Sequence, residues 1–160
     1  MSEFSLLERA PQPTAVVRST IAVSDILEFL GGAYAAVMRV LAIQGITPVA
    51  EPFAYYRGAP TSTVDIEAGF PIAVPCAPDG EVVPGELPGG TIATGMHIGP
   101  YDTMVDTYER LTSWITAQHL VPGEAMWETY MTDPQQEPDP TKWRTQIFWS
   151  VSPAQVAASR

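Results

Sequence analysis

Two stretches of this chain repeat each other at a constant spacing of 74 residues, set by Leu27 against Tyr101 (101 − 27). Leu27, Leu30, Tyr34, Val37 and Leu41 fall on Tyr101, Met104, Tyr108, Leu111 and Ile115. Each set has the spacing of one apolar helix face. Beyond the helices, Pro48 falls on Pro122, Phe53 on Trp127 and Tyr56 on Tyr130. Both halves read strand–helix–strand–strand. A duplicated β-α-β-β unit predicts an α+β architecture, with an antiparallel-rich sheet carrying both helices on one face. The cleft between two pseudo-symmetric halves is a common place for a ligand.

The elements follow from local pattern. Residues 4–9 and 14–23 read as strands, with Pro11 and Pro13 at the break between them. Ser24 and Asp25 are placed to cap a helix over 25–44, which Gly45 ends. Residues 52–57 and 63–75 read as strands. Residues 71–90 hold five Pro and four Gly, which predicts a connector with at most one short extended piece. The chain is thus expected to be one domain over 1–160, with halves at about 4–75 and 91–151 joined by 76–90. In the second half, a strand over 91–98 breaks at Gly99-Pro100. A helix over 101–119 and strands over 125–131 and 143–151 follow. The tail from Ser152 is expected to fray.

Composition narrows the function classes. With 46% hydrophobic and 16% charged residues, the chain is not of the disordered class. No apolar run reaches the ~18–20 residues of a membrane span, and the start lacks the basic and apolar regions of a signal peptide. The single cysteine, Cys76, excludes an internal disulfide framework. A cytoplasmic location and no membrane partner are the expectations. The net charge is −10, and the segment between Arg57 and Arg110 holds eight acids and no Lys or Arg. A nucleic-acid surface needs clustered cations, so direct DNA or RNA binding is not expected. Two distant histidines and one cysteine form no metal pattern, and there is no phosphate-binding glycine loop. No metal and no cofactor are expected.

The segment Met126-Trp127-Glu128-Thr129-Tyr130 carries the most chemistry. On a strand, Glu128 and Tyr130 share a face, while Trp127 and Thr129 point the other way. Three readings of Glu128 stand open. It is solvated or paired with a cation such as Arg144; it is the anionic floor of an aromatic pocket that takes bulky aromatic cations; or it is a general base whose pKa burial has raised. Aromatics gather around this strand, and the repeat makes Tyr56 and Tyr130 symmetry mates. The candidate ligand-binding set is Glu128, Tyr130, Tyr56, Trp127, Tyr55, Trp149, Tyr101 and Met96. If the chain is an enzyme, Glu128 and Tyr130 are the candidate catalytic residues. His97, in His-Ile-Gly-Pro-Tyr, and His119 read as structural. Asp65 and Glu67 share a strand face and read as solvated or paired with arginine.

These residues in this order resemble a known family. Val64-Asp65-Ile66-Glu67-Ala68-Gly69-Phe70-Pro71, His97-Ile98-Gly99-Pro100-Tyr101, Trp127-Glu128-Thr129-Tyr130 and the closing Pro-Asp-Pro-x-Lys-Trp-x-Thr-x-Ile are similar to the GyrI-like small-molecule-binding superfamily. That superfamily has a SOUL-like fold and is also met as the effector-binding domain of BmrR-type and AraC-type regulators. The resemblance spans about residues 4–151. It implies a tandem β-α-β-β fold whose cleft binds lipophilic, often cationic, aromatic compounds, with a glutamate at the position of Glu128. The expected form is stand-alone, since no helix-turn-helix segment precedes the domain here. Three functions stay open: a drug-binding domain for sequestration or sensing, a hydrolase of strained cyclopropanoid toxins using the same glutamate, and a gyrase-inhibitor-like module with gyrase or a regulator as protein partner. A second polar group converging on Glu128 would favour the enzyme. An exposed apolar patch around Trp114 would favour the interaction module.

Overall fold

The structure, a computed structural model, describes residues 3–57, 61–133 and 136–154. Its elements are β1 (Phe4–Arg9), β2 (Gln12–Ala22), α1 (Ile26–Gln44), β3 (Phe53–Arg57), β4 (Thr63–Pro71), β5 (Val82–Leu87), β6 (Gly90–Ile98), α2 (Met104–Ala117), β7 (Leu120–Tyr130) and β8 (Arg144–Pro153). The strands form one antiparallel eight-stranded sheet in the order β1-β6-β8-β7-β3-β4-β2-β5.

That order is symmetric about the β3–β7 pair. Reading outward gives β3-β4-β2-β5 on one side and β7-β8-β6-β1 on the other. The strand that leads each half is donated to the other half. β1 pairs with β6, and β5, the extended piece inside the Pro/Gly-rich connector, pairs with β2.

Side-chain alternation divides the sheet into two faces. α1 covers one half of the first face, where Leu30, Val37, Val40 and Leu41 pack on Ala15, Ala54, Ile66 and Ala68. α2 covers the other half, where Met104, Leu111 and Ile115 pack on Ala93, Ile147 and Val151. Val23–Gln44 is long and apolar enough to cross a membrane by length and composition, a property the run-length reading did not register. Here its apolar residues build the core beside β2 and β4.

The second face has no helix and closes on itself. Leu7 on one edge strand and Leu87 on the other join one cluster with Val16, Phe53, Tyr55, Ile92, Trp127 and Phe148. The two-residue links from β1 to β2 and from β5 to β6 bring the two edges near each other at one end, so the sheet is strongly curled.

Several local expectations are corrected. The turn over Val23–Asp25 is a 3₁₀ turn, and neither it nor α1 has a side-chain cap bond, so Ser24 and Asp25 do not cap as expected. Gly45 does end α1, with φ 72° and its N–H on Leu41 or Ala42. α2 begins after a 3₁₀ turn at Tyr101–Thr103 and ends at Ala117, short of residue 119. β7 starts at Leu120, and its register with β8 shifts between Pro122 and Met126. β8 runs on to Pro153, so Ser152 is strand rather than tail; residues 155–160 lie outside the described residues. Trp114 is half-buried against Phe4, with ring centroids 6.1 Å apart.

Candidate functional site

α1 and α2 sit on either side of the symmetry axis, and the gap between them opens onto β3 and β7. This is a cleft of about 670 Å³. Its walls include Ile26, Leu27, Leu30 and Tyr34 from the first half, with Tyr101 and Met104 from the second. Its floor carries Tyr56, Glu128 and Tyr130.

Glu128 lies on the axis. Its neighbour across the β3–β7 ladder is Ala54, and the 74-residue spacing makes the same two positions equivalent (128 − 54). Tyr34 and Tyr108 are mates in the same sense, as are Tyr56 and Tyr130. The repeat thus surrounds a single carboxylate with four tyrosines. The Tyr108 hydroxyl donates to Glu128 Oε2, and the Tyr130 hydroxyl donates to Oε1 at 2.8 Å. Tyr56 interacts with Tyr130. Tyr34 turns its hydroxyl to the Phe53 carbonyl at 2.9 Å.

Electrostatics follow from burial. Glu128 is 8% exposed. Desolvation pushes its carboxyl above the ordinary carboxylate range, against the pull of the Tyr108 and Tyr130 hydrogen bonds and the nearby His97. Burial also raises the phenols of Tyr34, Tyr56, Tyr108 and Tyr130, and the Glu128 charge adds to each, so all four stay protonated. Glu51 and Asp133 stand with Glu128 among the lining residues, and no Lys, Arg or His lines the cleft among the described residues. The cleft is acidic and largely apolar. It can hold a cation against a buried carboxylate, or it can move a proton at Glu128.

The structure sorts the sequence candidates. Glu128, Tyr130, Tyr56 and Tyr101 come together in the cleft. Tyr101 packs edge-on to Tyr130 at 6.0 Å and is braced by Trp143 at 5.1 Å. Trp127 and Tyr55 do not join them. Strand alternation turns both to the second face, where they pack edge-on at 6.1 Å. Met96 is displaced for the same reason, two residues along from Thr94 and four from Ile92, which packs in the second-face cluster. Trp149 is on the helix side but behind Tyr108, at 6.1 Å, with its indole donating to the Gly123 carbonyl at 2.8 Å.

Other readings resolve too. Glu128 is neither solvated nor paired with Arg144; its partners are phenols. His97 bonds Thr107 at 2.7 Å and lies 2.9 Å from the Pro100 carbonyl, holding the turn into α2. Asp65 pairs with Arg18 at 2.9 Å, and buried Glu67 pairs with Arg57. Tyr34 and Tyr108 were not picked out as site residues, although the repeat aligned them with each other.

Comparisons with known proteins agree with this architecture. The sequence matches the family described as GyrI-like small molecule binding domain over residues 2–152. Among solved structures, the EcmrR C-terminal domain superposes with a TM-score of 0.81 at 19% identity, covering 94% of this chain and 98% of that one. In the EcmrR–DNA complex the match spans only 57% of the EcmrR chain, at 20% identity and the same TM-score of 0.81. A hydrolase from Listeria innocua matches at TM-score 0.65 and 12% identity, covering 94% and 92% of the two chains. SAV2435, solved bound to tetraphenylphosphonium, matches at TM-score 0.64 and 12% identity, covering 94% of each chain. At these identities the likeness shows the fold. No curated protein matches the sequence.

Proposed function

The chain belongs to the GyrI-like small molecule binding domain family, and from that premise we propose that its cleft binds lipophilic aromatic cations, in sequestration or sensing within the cytoplasm. The carrying observation is a buried carboxylate on the floor of an apolar cleft whose other ionisable side chains are acids or phenols. Burial strengthens attraction between Glu128 and a desolvated cation, and the faces of Tyr56 and Tyr101 add cation–π contacts. Hard, strongly hydrated cations gain less, because the apolar walls do not replace their water. The tetraphenylphosphonium bound by SAV2435 is a ligand of this kind and supports the reading.

The test is a fluorescence titration with a rhodamine-type cation, competed with tetraphenylphosphonium, on wild type and Glu128→Gln. Binding should weaken about tenfold or more in the variant, ~1.4 kcal/mol. Equal affinity in the two proteins would remove Glu128 from the ligand site.

A second reading rests on a separate observation. Two hydroxyls, from Tyr108 and Tyr130, converge on Glu128, which is the polar convergence an enzyme needs. In this reading the cleft hydrolyses a strained-ring electrophile, with Glu128 as base toward water and Tyr130 as a donor. Turnover of a cyclopropanoid substrate by wild type and not by Glu128→Gln would favour it over simple binding.

A further inference from the structure

The second face of the sheet holds another cavity, of about 280 Å³, at the end of the curled sheet where β1 leaves and β2 begins. Arg9, Gln12, Trp127, Thr129, Gln146 and Phe148 line it. It is distinct from the cleft, because β7 separates them. Glu128 and Tyr130 face one way, Trp127 and Thr129 the other, and among the described residues only Glu51 and Met131 border both.

Its floor is apolar and rigid. Trp127 and Phe148 stack with centroids 5.4 Å apart and planes 14° from parallel, and both are buried. The Gln12 amide donates to the Pro13 and Ile72 carbonyls at 2.9 and 2.8 Å. Trp127 is 1% exposed, yet its indole N–H has no acceptor among the described residues. Trp143 and Trp149, by contrast, donate to carbonyls at 2.8 Å. Arg9 lies over the Phe148 ring at 5.2 Å and takes part in none of the ion pairs among the described residues. Its guanidinium is therefore open to an anion at the mouth of the cavity. The Gln146 amide N–H is already engaged with Thr94 at 3.1 Å.

We propose that this cavity is a second binding site, for a small monocarboxylate with an aryl or branched apolar body. The body rests on the Trp127–Phe148 stack. The carboxylate accepts from the Arg9 guanidinium and the Trp127 indole, an anion matched to a cation and a neutral donor. Exposed Glu51 at the rim disfavours a second negative charge, so dicarboxylates are selected against.

The test is a benzoate titration of the whole chain, followed by NMR at the four tryptophan indole N–H resonances. The Trp127 resonance is identified from Trp127→Phe. It should move saturably, while those of Trp114, Trp143 and Trp149 stay in place. Arg9 is exposed, so Arg9→Met keeps the fold, and it should weaken benzoate binding about tenfold or more. Benzamide, with the same body and no charge, should bind at least as weakly to wild type. Glu128→Gln should leave benzoate affinity unchanged, which keeps this site's fate apart from that of the cleft. No saturable movement at Trp127, equal affinity in Arg9→Met, or equal affinity for benzamide would each overturn the proposal.

Discussion

Ala54 and Glu128 face each other across the β3–β7 ladder and occupy equivalent positions of the internal repeat. Two copies of one half-chain in a symmetric dimer could not arrange this, because any glutamate beside the axis would appear twice. Two buried carboxylates that close would share one proton, so only one of them would carry charge. Covalent joining of the halves lets one position stay small and the other charged, with the tyrosines of both halves left to serve a single group.

Because burial raises the Glu128 carboxyl, ligand-free stability and cation binding should respond to pH in opposite directions. The folded protein holds this proton more tightly than the unfolded chain does. Its contribution to stability is therefore complete below the ordinary carboxylate value and fades as pH rises through the folded value. Cation affinity rises over that same window as the carboxylate forms. Thermal melts from pH 4 to 8 should show the Glu128-dependent fall in Tm, and Glu128→Gln should abolish it. At neutral pH the variant should melt at a higher temperature than wild type. A lower Tm for the variant would contradict the account.

Tyr108→Phe removes one of the two phenol donors to Glu128. The carboxylate then has less to offset its burial. The midpoint of the pH–affinity curve should move up, because one hydrogen bond to the charged form is lost. At high pH affinity should approach that of wild type, which separates this effect from a lost ligand contact. A uniform loss at every pH would mean that Tyr108 touches the ligand instead.

Trp127→Ala should cost about 3–5 kcal/mol of stability, since a large buried ring leaves a cavity. Cation affinity per folded molecule should change little, because the ring faces away from the cleft. Urea unfolding and ligand titration on the same sample measure both quantities. A large affinity loss in protein that is still folded would return Trp127 to the cleft.

Gly69 lies on β4 where β2 and β3 both pair with it, and a Cβ there would stand 1.8 Å from the Ala15 carbonyl oxygen. Backbone cannot yield as a side-chain tip does. Gly69→Ala should therefore cost at least about 3 kcal/mol or prevent folding. Gly31→Ala, where nothing lies within 4 Å, is the control and should be neutral or stabilising.

Much of this architecture was legible because the repeat was. Matching helix faces at Leu30 and Met104, and matching tyrosines at 56 and 130, carried the fold and half of the cleft. The glutamate stood out as a charge amid aromatics. The misplacement of Trp127 and Tyr55 ran against a signal already present, since period-two alternation sets them opposite Glu128. Trp149 is another matter. It shares the helix side, and only the register of β8 on β7 places it behind Tyr108. Helix spacing puts Tyr108 on an apolar helix face, and its reach to Glu128 depends on how closely α2 approaches β7. β5 hid among prolines and glycines because an edge strand needs few ladder bonds and tolerates both.

The exchange of lead strands has a consequence for how the chain is made. Phe4 pairs with Gly95 and Arg9 with Gly90, so β1 leaves the ribosome some eighty residues before the strand it pairs with. Until then its hydrogen-bonding edge has no native mate, and the first half lacks β5 as well. Synthesis thus passes through a stage with exposed strand edges, where a holdase chaperone or a fast C-terminal half decides yield. A synonymous change that slows translation between residues 10 and 90 should lower soluble yield without altering the finished protein.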